Sequence, residues 1–193
     1  MKKKEYYWDE ISEIIGQVIL KTFKNKDMSI LEIGFGSGHF LEWMNESRYT
    51  KLNGIEIRQD QFLKTKGSFD QKNLNHINLM CGDVLEHNEK YDAIFSTGLI
   101  QCLNEIDRKV FEKHVSKLAD LAIFTVPEIF IERNINSEVA IAVAGCREFK
   151  TGNIAYELSM CYDAVRVGRI DREKTHLDDS FIYYVCEQNH DRQ

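Results

Sequence analysis

Three glycines in five residues, set at the end of a short apolar run, constrain this chain more than any other feature. Ser29-Ile-Leu-Glu-Ile-Gly34 reads as a buried strand, and His39 to Asn45 follows with helical periodicity. Between them, Gly34, Gly36 and Gly38 let the backbone turn tightly and let a ligand come close, while the next helix offers unpaired N–H groups at its start. Strand, glycine turn and helix together open a βαβ unit, and open α/β sheets bind ligands outside the carboxyl ends of their strands. The spacing argues against the dinucleotide fingerprint GxGxxG, because His39 stands where its third glycine belongs. The pattern present is GxGxG, with Glu32 two residues ahead of it.

The rest of the chain alternates in the same way. An amphipathic helix is predicted from about Glu5 to Lys24, with Tyr7, Ile11, Ile14, Ile15, Val18 and Ile19 on one face. Strands are predicted at Lys51 to Ile57, Ile77 to Met80, Tyr91 to Ser96 and Leu121 to Val126. Helices are predicted at Gln59 to Phe69 and at Ile106 to Ala119, the latter burying Ile106, Val110, Phe111, His114, Val115 and Leu118. Strands alternating with helices imply a doubly wound, mostly parallel α/β sheet. The last third changes character. Helical stretches at Ser137 to Cys146 and Asn153 to Tyr162 precede two strands, Val165 to Ile170 and Phe181 to Cys186, which read as a hairpin closing one sheet edge.

With 193 residues, a single proline and no repeat or low-complexity linker, the chain is expected to form one domain. Its parts are a helical cap over 1–27, a core over 28–127, and an insert with a C-terminal hairpin over 128–193. Twenty-five basic against 31 acidic residues leave a net charge of −6, which argues against a nucleic-acid partner, since such binding rests on phosphate neutralisation. The basic run Lys2 to Lys4 is not followed by the apolar stretch of a signal peptide, and no apolar run is long enough to span a bilayer. The five cysteines form no CxxC pair, so neither a disulfide framework nor a zinc site is expected, and no metal. The expected setting is soluble and cytoplasmic. Nothing in the sequence specifies an oligomeric state.

Further acidic residues fall at the predicted strand ends: Glu56 in Gly54-Ile55-Glu56-Ile57, and Asp83 in Cys81-Gly82-Asp83-Val84. A carboxylate such as Glu56 can accept hydrogen bonds from two ribose hydroxyls at once. Taken with Glu32 and GxGxG, these motifs resemble those of the class I S-adenosylmethionine (SAM) dependent methyltransferases over about Met28 to Pro127. The resemblance implies a seven-stranded sheet with its last strand antiparallel, SAM as cofactor and S-adenosylhomocysteine (SAH) as product. It implies cofactor contacts from Glu32, Gly34, Phe35, Gly36, Gly38, Glu56, Ile57, Asp83, Val84 and Ser96, with Tyr7 of the cap closing over the methionine end. Each has a plainer reading: glycines for close packing, Asp83 as a turn cap, Glu56 as a solvated strand-end carboxylate.

The resemblance narrows the acceptor as well. Enzymes of the family that methylate amino groups of nucleic acids carry an Asn/Asp-Pro-Pro-Tyr/Phe tetrad after strand four, where this chain has Phe95-Ser96-Thr97-Gly98. Gly98-Leu99-Ile100-Gln101-Cys102-Leu103 instead keeps the apolar frame of the small-molecule branch, with Gln101 and Cys102 in place of two histidines. The expected activity is methyl transfer to a nitrogen or oxygen of a small molecule. A protein or RNA methyltransferase, or a non-catalytic SAM-binding module, are the alternatives. Candidate proton acceptors are Glu128, just after strand five, and His39, although a histidine in a first helical turn is more often a spectator. The segments 136–149 and 156–162 are expected to wall the acceptor pocket.

Overall fold

The computed structural model describes residues 13–127, 151–170 and 181–188. The expectations for Tyr7, Glu128, the 137–146 helix and the 136–149 wall lie outside those residues.

The seven strands are β1 (Ser29–Ile33), β2 (Lys51–Glu56), β3 (Asn78–Cys81), β4 (Ala93–Thr97), β5 (Leu121–Pro127), β6 (Ala164–Ile170) and β7 (Phe181–Glu187). They form one sheet in the order β3-β2-β1-β4-β5-β7-β6. The first five run parallel, while β7 lies antiparallel between β5 and β6. This is the predicted architecture, hairpin included. The order reverses beside β1, so the carboxyl ends of β1 and β4 diverge there and leave the crevice in which α/β folds hold ligands.

Successive strand residues point to opposite faces, and two cores follow from that period of two. Ile30, Ala93, Phe95, Ile123 and Val185 meet the helices α1 (13–22), α2 (His39–Glu46) and α3 (Gln59–Gln71), through Ile15, Ile19, Leu41, Met44 and Phe69. Their neighbours Leu31, Ile33, Ile94, Phe124 and Tyr184 meet α4 (Glu105–Val115) and α5 (Thr151–Ser159), through Phe111, Val115, Ile154 and Leu158. Among the described residues no helix is long and apolar enough to cross a membrane.

Helix α4 departs from the expected pattern. Ile106 and Val110 are 75% and 51% exposed, while Arg108 and Glu112 share the buried stripe with Phe111 and Val115. The cause is a contact to α5: Arg108 grips Glu157 through two hydrogen bonds of 2.6 and 2.9 Å, both side chains buried. A bidentate arginine–carboxylate pair is among the few arrangements that can hold charge inside a core. It rotates the helix away from the face that apolar spacing alone would bury.

Candidate functional site

The site starts from the turn after β1. Gly34 donates its N–H to the Ile55 carbonyl at 2.8 Å, joining the end of β1 to β2, and its φ of +73° is one that L side chains rarely adopt. Ser96 ties β4 to the same place, its buried hydroxyl donating to the Ile33 carbonyl at 2.9 Å. The loop then climbs over β2, where the Gly36 N–H donates to Glu56 Oε2 at 3.1 Å and Thr65 Oγ1 of α3 donates to the Gly36 carbonyl at 2.6 Å.

Glu32 lies beneath this loop, 1% exposed. The N-cap of α2 is Gly38, which has no side chain to satisfy the helix's first amides. Glu32 takes that part from below, accepting from the Leu41 N–H in the first turn. Burial, and then the charge of Glu56, push its carboxyl well above the usual carboxylate range against that hydrogen bond. Its other oxygen, Oε2, is buried without a partner.

Two further carboxylates end β2 and follow β3. Glu56 Oε1 accepts from the Arg58 N–H at 3.0 Å, so its two oxygens hold both the glycine loop and the start of α3, with lone pairs left over. Asp83 Oδ1 accepts from the Leu85 N–H at 2.9 Å and caps the short turn Val84–Glu86. The turn-cap reading of Asp83 therefore holds, and its second oxygen makes no hydrogen bond within the described residues. The remaining wall comes from the turn after β4, where Gly98, at φ +71°, donates to the Thr125 carbonyl at 3.3 Å.

These pieces enclose a cavity of about 660 Å³, inside the ~300–1,000 Å³ range of small-ligand sites. Of the predicted cofactor residues, Gly34, Glu56, Ile57, Asp83 and Val84 line it. Glu32, Phe35, Gly36, Gly38 and Ser96 do not, nor does the candidate proton acceptor His39, and most of them have visible structural work. Phe35 is buried, and its ring is close enough to Gly54 to forbid a side chain there. A Cβ on Gly38 would stand 2.7 Å from Phe69, so this glycine lets α2 meet α3. His39 is half-buried at the start of α2, its ring edge-on to Phe40. The stretch 156–162 does not line this cavity either; Tyr156, Glu157, Met160 and Cys161 line a separate groove against α4.

Leu99, Cys102 and Leu103 of the apolar frame after β4 are on the lining, whereas sequence reasoning missed Leu85, Val110 and Phe111 there. Ile57, Leu85 and Val110 are large apolar side chains left 64%, 39% and 51% exposed, and all three face this one cavity. Apolar side chains exposed together in a concave site, ringed by carboxylates, suit a flat aromatic base with a polar sugar. The carboxylate acceptors Glu56 and Asp83, beside that apolar lining, fit an adenosyl cofactor.

Comparison with known proteins agrees. Residues 30–120 match the family described as "Methyltransferase domain". No curated protein sequence matches the chain. Among solved structures, the magnesium protoporphyrin IX methyltransferase from Synechocystis PCC 6803 with bound SAH superposes with a TM-score of 0.71 at 15% identity, over 95% of this chain and 86% of that one. An S-adenosylmethionine-dependent methyltransferase from Clostridium acetobutylicum ATCC 824 gives 0.70 at 14% identity, over 94% and 92%. The mitomycin 7-O-methyltransferase MmcR gives 0.64 at 14% identity, over 82% of this chain and 48% of that one. At such identities the superpositions establish the fold.

Proposed function

We propose that the chain is a class I S-adenosylmethionine-dependent methyltransferase that methylates a nitrogen or oxygen atom of a small molecule, a reading supported by the methyltransferase-domain match over residues 30–120 and by the shared fold. The observation that carries the acceptor class is the turn after β4. Phe95-Ser96-Thr97-Gly98 lacks the proline–aromatic clamp of the nucleic-acid amino methylases, and Leu99, Cys102 and Leu103 just beyond it present an apolar wall to the cavity. Two of the structures of this fold bear the names of enzymes acting on small molecules, a magnesium porphyrin and mitomycin, which supports the same reading.

In this proposal Glu56 accepts from the ribose hydroxyls and Asp83, through its free oxygen, from the adenine amine. Ile57, Val84 and Leu85 flank the base, Gly34 allows close approach of the backbone, and Glu32 holds the loop from beneath. Tyr7 completes the methionine end. When bound, SAM supplies a methyl group on a positively charged sulfur. The chain's own contribution is then to hold the acceptor near attack distance, roughly 3–3.5 Å, and to exclude water. Glu128, which follows β5 directly, is proposed to take the acceptor's proton. His39, off the cavity lining, is the weaker candidate.

The test is SAH release from SAM over a panel of small amines, phenols and hydroxy acids, run beside an RNA and a protein panel. Calorimetric titration with SAM, SAH and NAD accompanies it. Binding of SAM and SAH but not NAD, with turnover on a small acceptor, is the expected result. Turnover confined to RNA or protein would overturn the acceptor class.

A further inference from the structure

A second concavity lies on the far side of α4. Asp107, Val110 and Phe111 of that helix face the cofactor cavity, whereas Lys109, Glu112 and Lys113 face a groove of about 460 Å³ closed by α5. That volume is again in the range of a small-molecule site. One bank is cationic. Lys109 and Lys113 stand one turn apart on α4 and Lys117 follows in the turn after it, all three exposed. Lys109 is neutralised by Glu105 at 2.6 Å, but no ion pair among the described residues engages Lys113 or Lys117. The opposite bank is apolar and open to water, with Tyr156 67% and Met160 71% exposed.

Between the banks lies Glu112, 1% exposed, with neither carboxyl oxygen hydrogen-bonded. Arg108, its nearest cation, stands 3.9 Å away and has committed its strong bonds to Glu157. A buried carboxyl without partners is a costly feature unless a ligand completes it. Burial and the Glu157 charge push Glu112 up to about 8, so at neutral pH it carries a proton and can donate to an oxygen acceptor.

We propose that the groove between α4 and α5 is a second binding site, separate from the cofactor cavity, for a small amphipathic anion with a flat apolar body and a carboxylate, sulfonate or phosphate group. Tyr156 and Met160 cover the body, Lys113 and Lys117 balance the charge, and Glu112 supplies a neutral donor in the wall. An amine ligand would meet the same lysines as like charges, which decides the sign of the occupant.

The probe is 8-anilinonaphthalene-1-sulfonate, titrated by fluorescence into the full chain with its cofactor cavity saturated by SAH. Its uncharged counterpart, N-phenyl-1-naphthylamine, is the control. One saturable anilinonaphthalene-sulfonate site per chain is expected, binding more tightly than the uncharged compound. The double variant Lys113→Glu/Lys117→Glu should weaken that site by about tenfold or more, roughly the sum of two reversed exposed charge contacts. Its SAH affinity should be unchanged, which shows that the variant is folded. Tyr156→Ala should weaken the site independently. Absence of a saturable site with SAH present, equal or tighter binding of the uncharged compound, or indifference to the double charge reversal would each overturn the proposal.

Discussion

Gly34 and Gly38 share a φ of +73°, so alanine at either position meets the same left-handed strain, about 1–2 kcal/mol. Their surroundings differ. A Cβ on Gly34 would meet nothing nearer than the Leu99 methyls, at 3.7 Å, whereas on Gly38 it would stand 2.7 Å from Phe69 and 2.9 Å from Thr65. Neither neighbour can give way easily: Phe69 is buried, and Thr65 is held to the Gly36 carbonyl at 2.6 Å. Overpacking of this kind costs a further 1–3 kcal/mol or so. Gly34→Ala should therefore cost about 1–2 kcal/mol and Gly38→Ala about 2–5 kcal/mol, the shared strain cancelling in the comparison. At roughly 2–4 °C per kcal/mol for a domain of this size, Tm falls by about 2–8 °C in the first and by about 4–20 °C in the second. Cofactor affinity should run the other way. Gly34 and Leu99 both line the cavity, so the added methyl narrows it between them and weakens SAH by about tenfold or more, some 1.4 kcal/mol. Gly38 lies off the lining, and the folded fraction of its variant should bind SAH like the parent. Thermal melts and SAH calorimetry on the two proteins suffice. Equal losses of Tm, or an affinity loss that follows Gly38 instead of Gly34, would refute the reasoning.

Three more outcomes follow from the same geometry. Glu112 keeps its proton in the fold up to about pH 8, while the unfolded chain releases it near 4.5, so its contribution is full below pH 4.5 and is lost as pH rises to 8. Glu112→Gln should gain on the parent between pH 5 and pH 9, by on the order of 2–4 kcal/mol in denaturant titrations, and parallel pH profiles would contradict this. Arg108→Met strands Glu157 in the core and should cost about 3–5 kcal/mol, most of it recovered when Glu112 and Glu157 are both replaced by Leu; an additive further loss in the triple variant would speak against the pairing. Asp83→Asn keeps an oxygen for the Leu85 N–H and should melt like the parent while binding SAH about 1–3 kcal/mol more weakly, whereas Asp83→Ala should lose both; an unchanged SAH affinity in both variants would remove Asp83 from the cofactor site.

The parts of the fold that could be read in advance are those governed by local pattern. The apolar run before Gly34, the period-two faces of β1, β4 and β5, and the hairpin of β6 and β7 all follow from neighbours in sequence. Glu56 and Asp83 were legible because strand ends are where such a sheet presents side chains to a ligand. The stripe of α4 was not, because only a partner 49 residues away makes the burial of Arg108 tolerable. The same rotation hid Val110 as a cavity residue: its exposure has meaning only once the opposite wall, from Ile57 to Leu85, is in place. The segment 156–162 was expected to wall the acceptor pocket because the family resemblance places specificity there; the Arg108–Glu157 pair holds it against α4, along a groove separate from the cofactor cavity.

The placement of β7 bears on how the chain can be made. It follows β6 in sequence but separates β6 from β5, and β6 has no other neighbour in the sheet. As synthesis proceeds from the N-terminus, β3-β2-β1-β4-β5 can pair as soon as β5 emerges, but β6 has nothing to join until β7 arrives. For that interval the seven residues of β5, Leu121 to Pro127, present an unpaired apolar edge. Such an edge is an aggregation template. The nascent protein should therefore depend most on chaperone cover in the interval between emergence of β5 and emergence of β7.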